Sequence, residues 1–384
     1  MAPSTLRQRR GAVTLAFFAY AGLPGVWAAR IPSVQDARHL SVGVLGLCLL
    51  TPAVGAVVAL PISGGLVRKW GGRSVLVAAG CVMTAALPLL AVAPGVGGFV
   101  VALVIFGAAG AAIDVALNVE AVDVEARYGR SLLAGMHAAW SLGALAGTGV
   151  GSLTAALGAS AVAGFAVSAV AVLVALLMCA RRLRGLPPVG RETVAAPAFA
   201  WPDAQTVRLG LLVFCSLFVE SAAADWSAVF LHRSVGTSVA VAASGFAAFS
   251  AAMVTGRLTG DRVVDRIGAT HAVRWSALAG AVILLVAVSI RSYALCLVGF
   301  FAAGAGTALL FPMAMVAAGR GHGDPARRIA GAATIGYVGW VLAPGVIGGL
   351  AALLSLPIAL ATASVVLLVA AGMAGELTRQ PAPF

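Results

Sequence analysis

Two polar side chains interrupt a long apolar stretch of the chain. Residues 110–121 read GAAIDVALNVEA, in which Asp114 and Asn118 stand among Ala, Val, Leu, Ile and Gly residues. A spacing of four places both side chains on one face of a helix. An ionisable group in such surroundings is costly unless it faces a cavity or a partner. The pair is therefore a candidate for proton transfer (Asp114) and for contact with a solute (Asn118).

Four other ionisable residues interrupt apolar runs in the same way: Arg30, His137, Glu220 and Asp225. His137 falls at a similar depth to Asp114 on the next predicted helix, and a carboxylate facing an imidazole predicts a proton relay. Glu220 falls near the middle of its run and is a second candidate for binding a proton or substrate. Asp225 falls near the level of Arg30, which suggests an outer gate formed by their pairing. Two plainer alternatives stay open: Asp114 holds a neighbouring helix, and Arg30 anchors at the lipid headgroups.

The composition requires lipid as the main solvent. Of the 384 residues, 61% are hydrophobic and only 10% are charged, against roughly 25% in an ordinary soluble domain. The mean hydropathy is +1.03. The apolar runs are long and continuous, whereas a membrane β-barrel alternates apolar and polar residues. The sequence therefore predicts an all-α membrane protein.

Twelve runs are long enough to cross a bilayer, which takes about 20 apolar residues each. They lie near residues 11–31, 42–66, 74–94, 98–119, 131–157, 161–180, 207–231, 238–258, 272–290, 293–318, 328–353 and 357–375. With both termini cytoplasmic, 21 of the 25 Lys and Arg residues fall on the inside, as the positive-inside rule expects. We therefore expect a multi-pass protein of the inner membrane with cytoplasmic N- and C-termini.

The chain divides into two similar halves. A polar, proline-containing stretch at 181–206 separates six-helix bundles at 1–180 and 207–384. A shift of 197 residues pairs Lys69 with Arg266 and Gly71 with Gly268, in the basic turn after the second span of each half. Two six-helix repeats in the same orientation are typical of a transporter that rocks around a central site.

The turn at 64–73, GGLVRKWGGR, resembles the G-x-L-x-D-R-x-G-R-R motif of the major facilitator superfamily, although Arg68 replaces the usual Asp. The second half carries the closer copy, GDRVVDRIG at 260–268. The GVWAARIP, IDVALN and HAAWSLG segments resemble a bacterial inner-membrane subgroup distantly similar to the fucose permease branch. This resemblance implies that spans 1 and 4 line the cavity and span 5 borders it. In that branch an acidic residue of span 4 participates in proton coupling, and Asp114 lies in the matching span.

The same turns supply candidates for a gate, because glycine lets helix ends pack closely and basic residues can pair with Asp or with a helix C-terminus. These candidates are Gly64, Lys69, Gly71, Arg73, Asp261, Asp265, Arg266 and Gly268. Aromatic rings that can stack on a solute are candidates for lining the cavity, although such rings also anchor at membrane interfaces. They are Trp27, Trp140, Trp226, Tyr337 and Trp340.

The sequence thus predicts a secondary active transporter that moves a small organic solute by alternating access, coupled to protons. Two alternatives stay open: a proton-driven efflux antiporter for amphipathic compounds, and a non-transporting sensor on the same fold. No Walker motif, HExxH motif or nucleophile elbow occurs, so we expect neither an enzyme nor direct use of ATP. We expect no cofactor, metal or nucleic-acid partner. The expected partners are the solute, protons and the lipid bilayer, around a monomer.

Overall fold

The protein is built from helices throughout the residues that its computed structural model describes, which are 3–128, 132–183, 203–320 and 325–378. The first half contains α1 (Pro3–Ala37), α2 (Val42–Leu49), α3 (Thr51–Trp70), α4 (Gly72–Val92), α5 (Gly95–Tyr128), α6 (Leu133–Ala156) and α7 (Ala161–Arg182). The second half contains α8 (Ala204–Arg233), α9 (Val239–Ala242), α10 (Ser244–Ile267), α11 (Ala269–Ile290), α12 (Tyr293–Thr307), α13 (Leu310–Gly319), α14 (Pro325–Leu353) and α15 (Leu356–Met373), and a 3₁₀ helix follows at Ala374–Leu377. The all-α prediction is confirmed.

Eleven helical segments in the described part of the chain are long and apolar enough to cross a membrane. Three of them combine two helices each: α2 with α3, α9 with α10, and α12 with α13. The remaining predicted span is α6, a helix of 24 residues that is less apolar because it is rich in glycine and also contains Ser, Thr and His residues. The predicted series of twelve helices is therefore present, with α6 the least hydrophobic of them.

The helices gather into two compact units. One contains α1 and α3–α7 with the short segment Val239–Ala243, and the other contains α8 and α10–α15 with the segment Ser41–Leu47. The division at 1–180 and 207–384 stays a prediction, because most of the linker expected at 181–206 lies outside the described residues.

In the first unit, α6 lies directly against α1. A Cβ atom placed on Gly143 would lie 2.0 Å from the carbonyl oxygen of Phe18, and one on Gly147 would lie 2.1 Å from that of Gly22. Both distances are far inside van der Waals contact, so only glycine fits at these positions. The two backbones therefore touch, as in the close helix pairs that small residues permit in membranes.

The second unit repeats this arrangement with α8 and α14. A Cβ atom on Gly339 would lie 2.4 Å from the carbonyl oxygen of Phe214, and one on Gly336 would lie 2.2 Å from a side-chain carbon of Val213. The first and fifth spans of each half are thus a closely packed pair. These pairs contain four of the six polar residues that interrupt the apolar runs, namely Arg30, His137, Glu220 and Asp225.

The basic turns of the two halves have the same backbone conformation. Gly71 has φ 81° and ψ 151°, and Gly268 has φ 80° and ψ 153°. Positive φ values are accessible to glycine without the steric penalty that other residues incur. The equivalence that the shift of 197 residues predicts for these turns is confirmed.

Proline interrupts one span and stays inside another. Helix α12 ends at Thr307 and α13 begins at Leu310, with Pro312 in the first turn of α13, where a proline is tolerated. Pro344 lies inside α14, which continues past it to Leu353. A proline has no N–H, so each removes one helical hydrogen bond from the residue four positions earlier.

Candidate functional site

Asp114 and Asn118 lie on one face of α5, as their spacing predicts. Both side chains are partly exposed. The Asn118 amide donates to the main-chain carbonyl oxygen of Asp114 over 2.9 Å. Within the described residues the Asp114 carboxylate has no ion pair. A partly buried carboxylate with no cationic partner is chemically suited to take up and release a proton.

The predicted relay from Asp114 to His137 is not formed in this structure. His137 is on α6, which packs along α1, and its ring centroid lies 5.3 Å from that of Phe17. No hydrogen bond or ion pair joins it to Asp114 among the described residues. The prediction rests on two consecutive helices with polar residues at similar depth, but α6 makes its main contact with α1 and little with α5.

Glu220 is one half of an ion pair in the second unit. Its carboxylate lies 3.8 Å from the guanidinium of Arg257, with side-chain exposures of 15% and 28%. The positive-inside count predicts that Arg257 lies in an inner loop, whereas it lies well inside α10. The shift that equates the two halves pairs Arg257 with Leu60 of the first half. A cation at a position that is apolar in the other half is the sequence feature that points to a polar role for Arg257.

Asp225 has a neighbour on its own helix. The Ser221 hydroxyl lies 3.3 Å from a carboxylate oxygen of Asp225 and 3.1 Å from the main-chain carbonyl oxygen of Trp340 on α14. Ser221 is completely buried. Nothing in the sequence distinguishes this serine, because a Ser in a membrane helix is common and carries no charge.

Arg30 is buried near the C-terminal end of its predicted span, with 3% of the residue exposed. One of its terminal nitrogens donates to the carbonyl oxygen of Ala159, in the turn between α6 and α7, over 2.7 Å. Its Nε atom is buried without a hydrogen-bond partner among the described residues. This burial does not fit the alternative of a headgroup anchor. The gate formed by Arg30 and Asp225 stays a prediction.

The aromatic candidates divide by burial. Trp27 packs against Phe99 and Phe165, with ring centroids 6.1 and 6.2 Å away, and Trp226 is fully buried. Both have a packing role in their own units, which leaves no exposed ring face for a solute in this structure. The other three keep exposed surface and remain candidates for solute contact: Trp140, Tyr337 and Trp340.

In the basic turn of the first half, one of the gate candidates contacts the end of a neighbouring helix. Arg73 donates to the carbonyl oxygen of Ala180 in the last turn of α7 over 2.9 Å, a favourable position for a cation. The Lys69 ammonium lies 5.8 Å from the Trp70 ring centroid. Gly64 lies earlier on the same helix, α3. In the second half Asp261, Asp265 and Arg266 are exposed on α10 and form no ion pair with described residues.

The sequence places Glu120 at the end of an apolar run, where a solvated helix end is expected, but a cluster at the same end of the first unit buries it. Helix α5 continues to Tyr128, so Glu120 lies within the helix and is buried. Its carboxylate accepts from Arg9 over 2.6 Å, and Asp123 lies 2.9 Å from another nitrogen of Arg9. Glu120 also borders the start of α4, where a Cβ atom on Gly72 would lie 2.8 Å from its carboxylate.

No group of three or more His, Cys, Asp or Glu side chains in the described ranges has the geometry of a metal site. The five cysteines are free and dispersed. The polar residues therefore offer proton transfer, hydrogen bonding and ion pairing as their available chemistry.

Comparison with known proteins identifies the family. A family model described as Major Facilitator Superfamily matches residues 12–269. An uncharacterized MFS-type transporter of Yersinia pestis is 36% identical over 367 residues, which cover 95% of this chain and 94% of that protein.

Solved structures share the fold across nearly the whole chain. The nucleoside transporter NupG aligns with a TM-score of 0.75 at 14% identity, covering 97% of this chain and all of that one. The Escherichia coli fucose:proton symporter FucP aligns with a TM-score of 0.61 at 14% identity, covering 97% and 98%. At these identities the likeness shows the fold alone. Together with the family match and the full-length relative, it establishes that the chain is a multi-pass membrane protein of the major facilitator superfamily.

Proposed function

We propose that this protein is a secondary active transporter that moves a small polar organic solute by alternating access, driven by protons. Membership of the family supports a transporter. The Glu220–Arg257 ion pair is the observation that supports a polar solute. Ionised side chains within apolar membrane helices are expensive and mark solute or ion pathways. A carboxylate and a guanidinium 3.8 Å apart offer both acceptors and donors to a solute that bears hydroxyl, amide or charged groups.

Asp114 supports the coupling to protons. Its carboxylate has no cation to hold it in the ionised form among the described residues, and Asn118 lies on the same helix face. Protonation removes the charge without leaving a partner unpaired. A helix that presents such a group can move between two environments as the proton binds and leaves. This role follows the expectation that the acid of the fourth span takes part in coupling.

The distribution of basic residues supports an orientation with both termini in the cytoplasm of a bacterium, in the inner membrane. Apart from Arg257, which lies within α10, the exceptions to the inward bias are Arg30, Arg38, Arg233 and Arg291. Since the cytoplasmic loops of membrane proteins carry excess Lys and Arg, the opposite orientation would reverse a strong bias. We propose that the transporter works as a monomer, since each half supplies its own polar residues.

The test begins with purified protein and a panel of monosaccharides, cyclitols, nucleosides and amino acids. A solute that raises the melting temperature is then offered in labelled form to proteoliposomes, with and without an imposed inward proton gradient. We expect accumulation above equilibrium that a protonophore abolishes. A solute that binds without any flux, with or without the gradient, would instead support a non-transporting sensor.

Two matched variants test whether the Glu220–Arg257 pair contributes to transport of the solute. Glu220→Gln removes the carboxylate that faces Arg257, and Glu376→Gln removes one that lies 2.9 Å from Arg208 at the helix ends of the same unit. We expect Glu220→Gln to lose uptake at least tenfold while Glu376→Gln transports normally. Equal uptake by both variants would show that the Glu220–Arg257 pair only holds two helices together.

A further inference from the structure

Pro344 leaves one main-chain carbonyl of α14 without its usual donor. In a helix the carbonyl of residue i accepts from the N–H of residue i+4, and Pro344 has no N–H to offer Trp340. The Ser221 hydroxyl of α8 lies 3.1 Å from that carbonyl oxygen. A side chain of the neighbouring helix thus supplies the missing hydrogen bond, which is how prolines are accommodated in membrane helices.

The same hydroxyl also faces Asp225, whose carboxylate oxygen lies 3.3 Å away. A serine hydroxyl has one hydrogen to donate and can accept others. The ionised Asp225 carboxylate can only accept, so it competes with the Trp340 carbonyl for that hydrogen. Hydrogen bonds to charged acceptors are the stronger ones, so the ionised carboxylate takes the hydrogen.

Protonation of Asp225 removes the competition. The carboxyl O–H then donates to the Ser221 oxygen, and the Ser221 hydrogen is free for the Trp340 carbonyl. All three groups are satisfied in a chain that runs from α8 to the position of Pro344 in α14. Loss of the proton returns the hydrogen to Asp225 and leaves the Trp340 carbonyl without a donor, which is unfavourable within a membrane helix.

We propose that Asp225 is a proton-binding residue whose protonation state is transmitted to α14 through Ser221. The inference rests on the proposed function and deepens it, because it names a group that takes up the coupled proton. When Asp225 is protonated, the Ser221 hydroxyl donates to the Trp340 carbonyl and joins α8 to α14 beside Pro344. When the proton is released, this hydrogen bond is lost at the point where α14 already lacks one main-chain hydrogen bond. By linkage, any state in which α14 is bent there binds the proton more weakly.

Other titratable groups in the second unit do not replace Asp225 in this role. Helices α13 and α15, which pack against α8, contain no titratable side chain. The neighbouring elements contribute the following groups: Arg257, Asp261, Arg262, Asp265 and Arg266 of α10, Tyr293 and Cys296 of α12, Arg327, Arg328 and Tyr337 of α14, and Glu376 of the 3₁₀ helix. On α8 itself Glu220 faces Arg257. Among the described residues of this unit, Ser221 is the hydrogen-bond partner of Asp225.

The test is hydrogen–deuterium exchange of the purified full chain in lipid nanodiscs, followed from pH 5 to pH 9 and corrected for the intrinsic exchange rate. The α14 peptide around Trp340 and Pro344 should exchange more slowly at low pH. One hydrogen bond of ordinary net strength corresponds to a change of about fivefold in the local opening constant. Helix α11 serves as the internal reference.

Four variants test the individual groups in this hydrogen-bonded chain. Asp225→Asn, whose amide can donate to Ser221 at every pH, should keep the α14 peptide slow throughout. Ser221→Ala should keep it fast throughout. Pro344→Ala restores a main-chain donor to Trp340, so adding Ser221→Ala in that background should change nothing. Ser227→Ala is the matched control, because Ser227 is also buried on α8 and has no partner among the described residues.

A pH response of α14 that survives in Asp225→Asn would overturn the proposal, as would a Ser221→Ala variant with the wild-type response. The exchange measurement needs no solute. An exchange result that contradicts the role of Asp225 therefore leaves the transport proposal unaffected. If the exchange of α14 depends on pH as expected but no solute is transported, only the transport proposal is contradicted.

Discussion

Arg9 and Glu120 form a buried ion pair that joins the start of α1 to α5. The Arg9 side chain is 2% exposed, and two of its nitrogens donate to one carboxylate oxygen of Glu120 over 3.1 and 2.6 Å. Asp123, one turn later, takes a third nitrogen at 2.9 Å. A guanidinium that is removed from water needs its hydrogen bonds filled in this way, because an unpaired buried charge is strongly unfavourable.

Glu120→Gln should therefore destabilise the protein. Breaking a buried pair by removing one partner costs about 3–5 kcal/mol, and the remaining contact with Asp123 reduces this to roughly 2 kcal/mol. The measurement is the midpoint of thermal unfolding in detergent, which should fall. The double variant Arg9→Gln with Glu120→Gln should recover part of the loss, since it leaves no buried charge unpaired.

Arg127→Gln is the control for that prediction. Arg127 also pairs with Asp123, at 2.8 Å, but its side chain is 34% exposed. Exposed pairs contribute about 0–1 kcal/mol. A loss in Arg127→Gln as large as that in Glu120→Gln would show that burial is not what gives the Arg9 pair its importance.

The contact between α1 and α6 predicts opposite effects for two glycines on the same helix. Gly147→Ala places a methyl group 2.1 Å from the Gly22 carbonyl oxygen, so the helices must separate, at about 1–3 kcal/mol or more. Gly149→Ala meets no atom within 4 Å, and alanine is favoured over glycine in a helix by about 1 kcal/mol. Thermal unfolding should thus show a lower midpoint for the first and an equal or higher one for the second.

Asp114→Asn should abolish proton-driven accumulation of the solute while the protein stays folded. The amide keeps the shape and hydrogen-bonding capacity of the side chain but cannot exchange a proton. Solute exchange between two equal pools, which needs no net proton movement, should continue in the variant. Accumulation at the wild-type level under a proton gradient would remove Asp114 from the coupling mechanism.

Asp203, just before α8 and outside the membrane-spanning segments, predicts part of the acid sensitivity. Burial raises the pKa of its carboxyl, but the N–H of Thr206 and the Arg328 guanidinium lower it by more, so the pKa lies below its ordinary value. A carboxyl whose pKa is lower in the folded state stabilises the protein above its unfolded pKa of about 4 and loses that contribution as the pH falls through the folded value.

Asp203→Asn isolates this contribution, since asparagine also accepts from the N–H of Thr206 as a helix cap. The variant should melt at a lower temperature than the wild type at neutral pH, and the difference should shrink toward pH 3. A difference that stays constant over this range would mean that the Asp203–Arg328 pair contributes nothing through charge.

The sequence predicted the features that repeat or that depend on hydrophobicity. The twelve helices follow from the length of the apolar runs. The equivalence of Gly71 and Gly268 follows from the repeat and is confirmed by their backbone angles. Each of these depends on local sequence or on a comparison within the chain.

The polar contacts between helices were not predictable in the same way, because they depend on which helices are neighbours. Adjacent spans suggested an Asp114–His137 relay, but α6 packs on α1. Glu120 looked solvated because its apolar run ends nearby, yet α5 continues and Arg9 covers it. Ser221 gained its importance from Pro344, more than a hundred residues later. The gate and cavity assignments of the remaining residues stay predictions.

The distance in sequence between Arg9 and Glu120 has a consequence for biosynthesis. Arg9 leaves the ribosome 111 residues before its carboxylate partner. Until α5 is made, the guanidinium must stay hydrated at the membrane surface, and the glycine-lined side of α1 has no α6 to contact. The contacts that α1 makes with α5 and α6 can therefore be completed only after the fifth span has been synthesised.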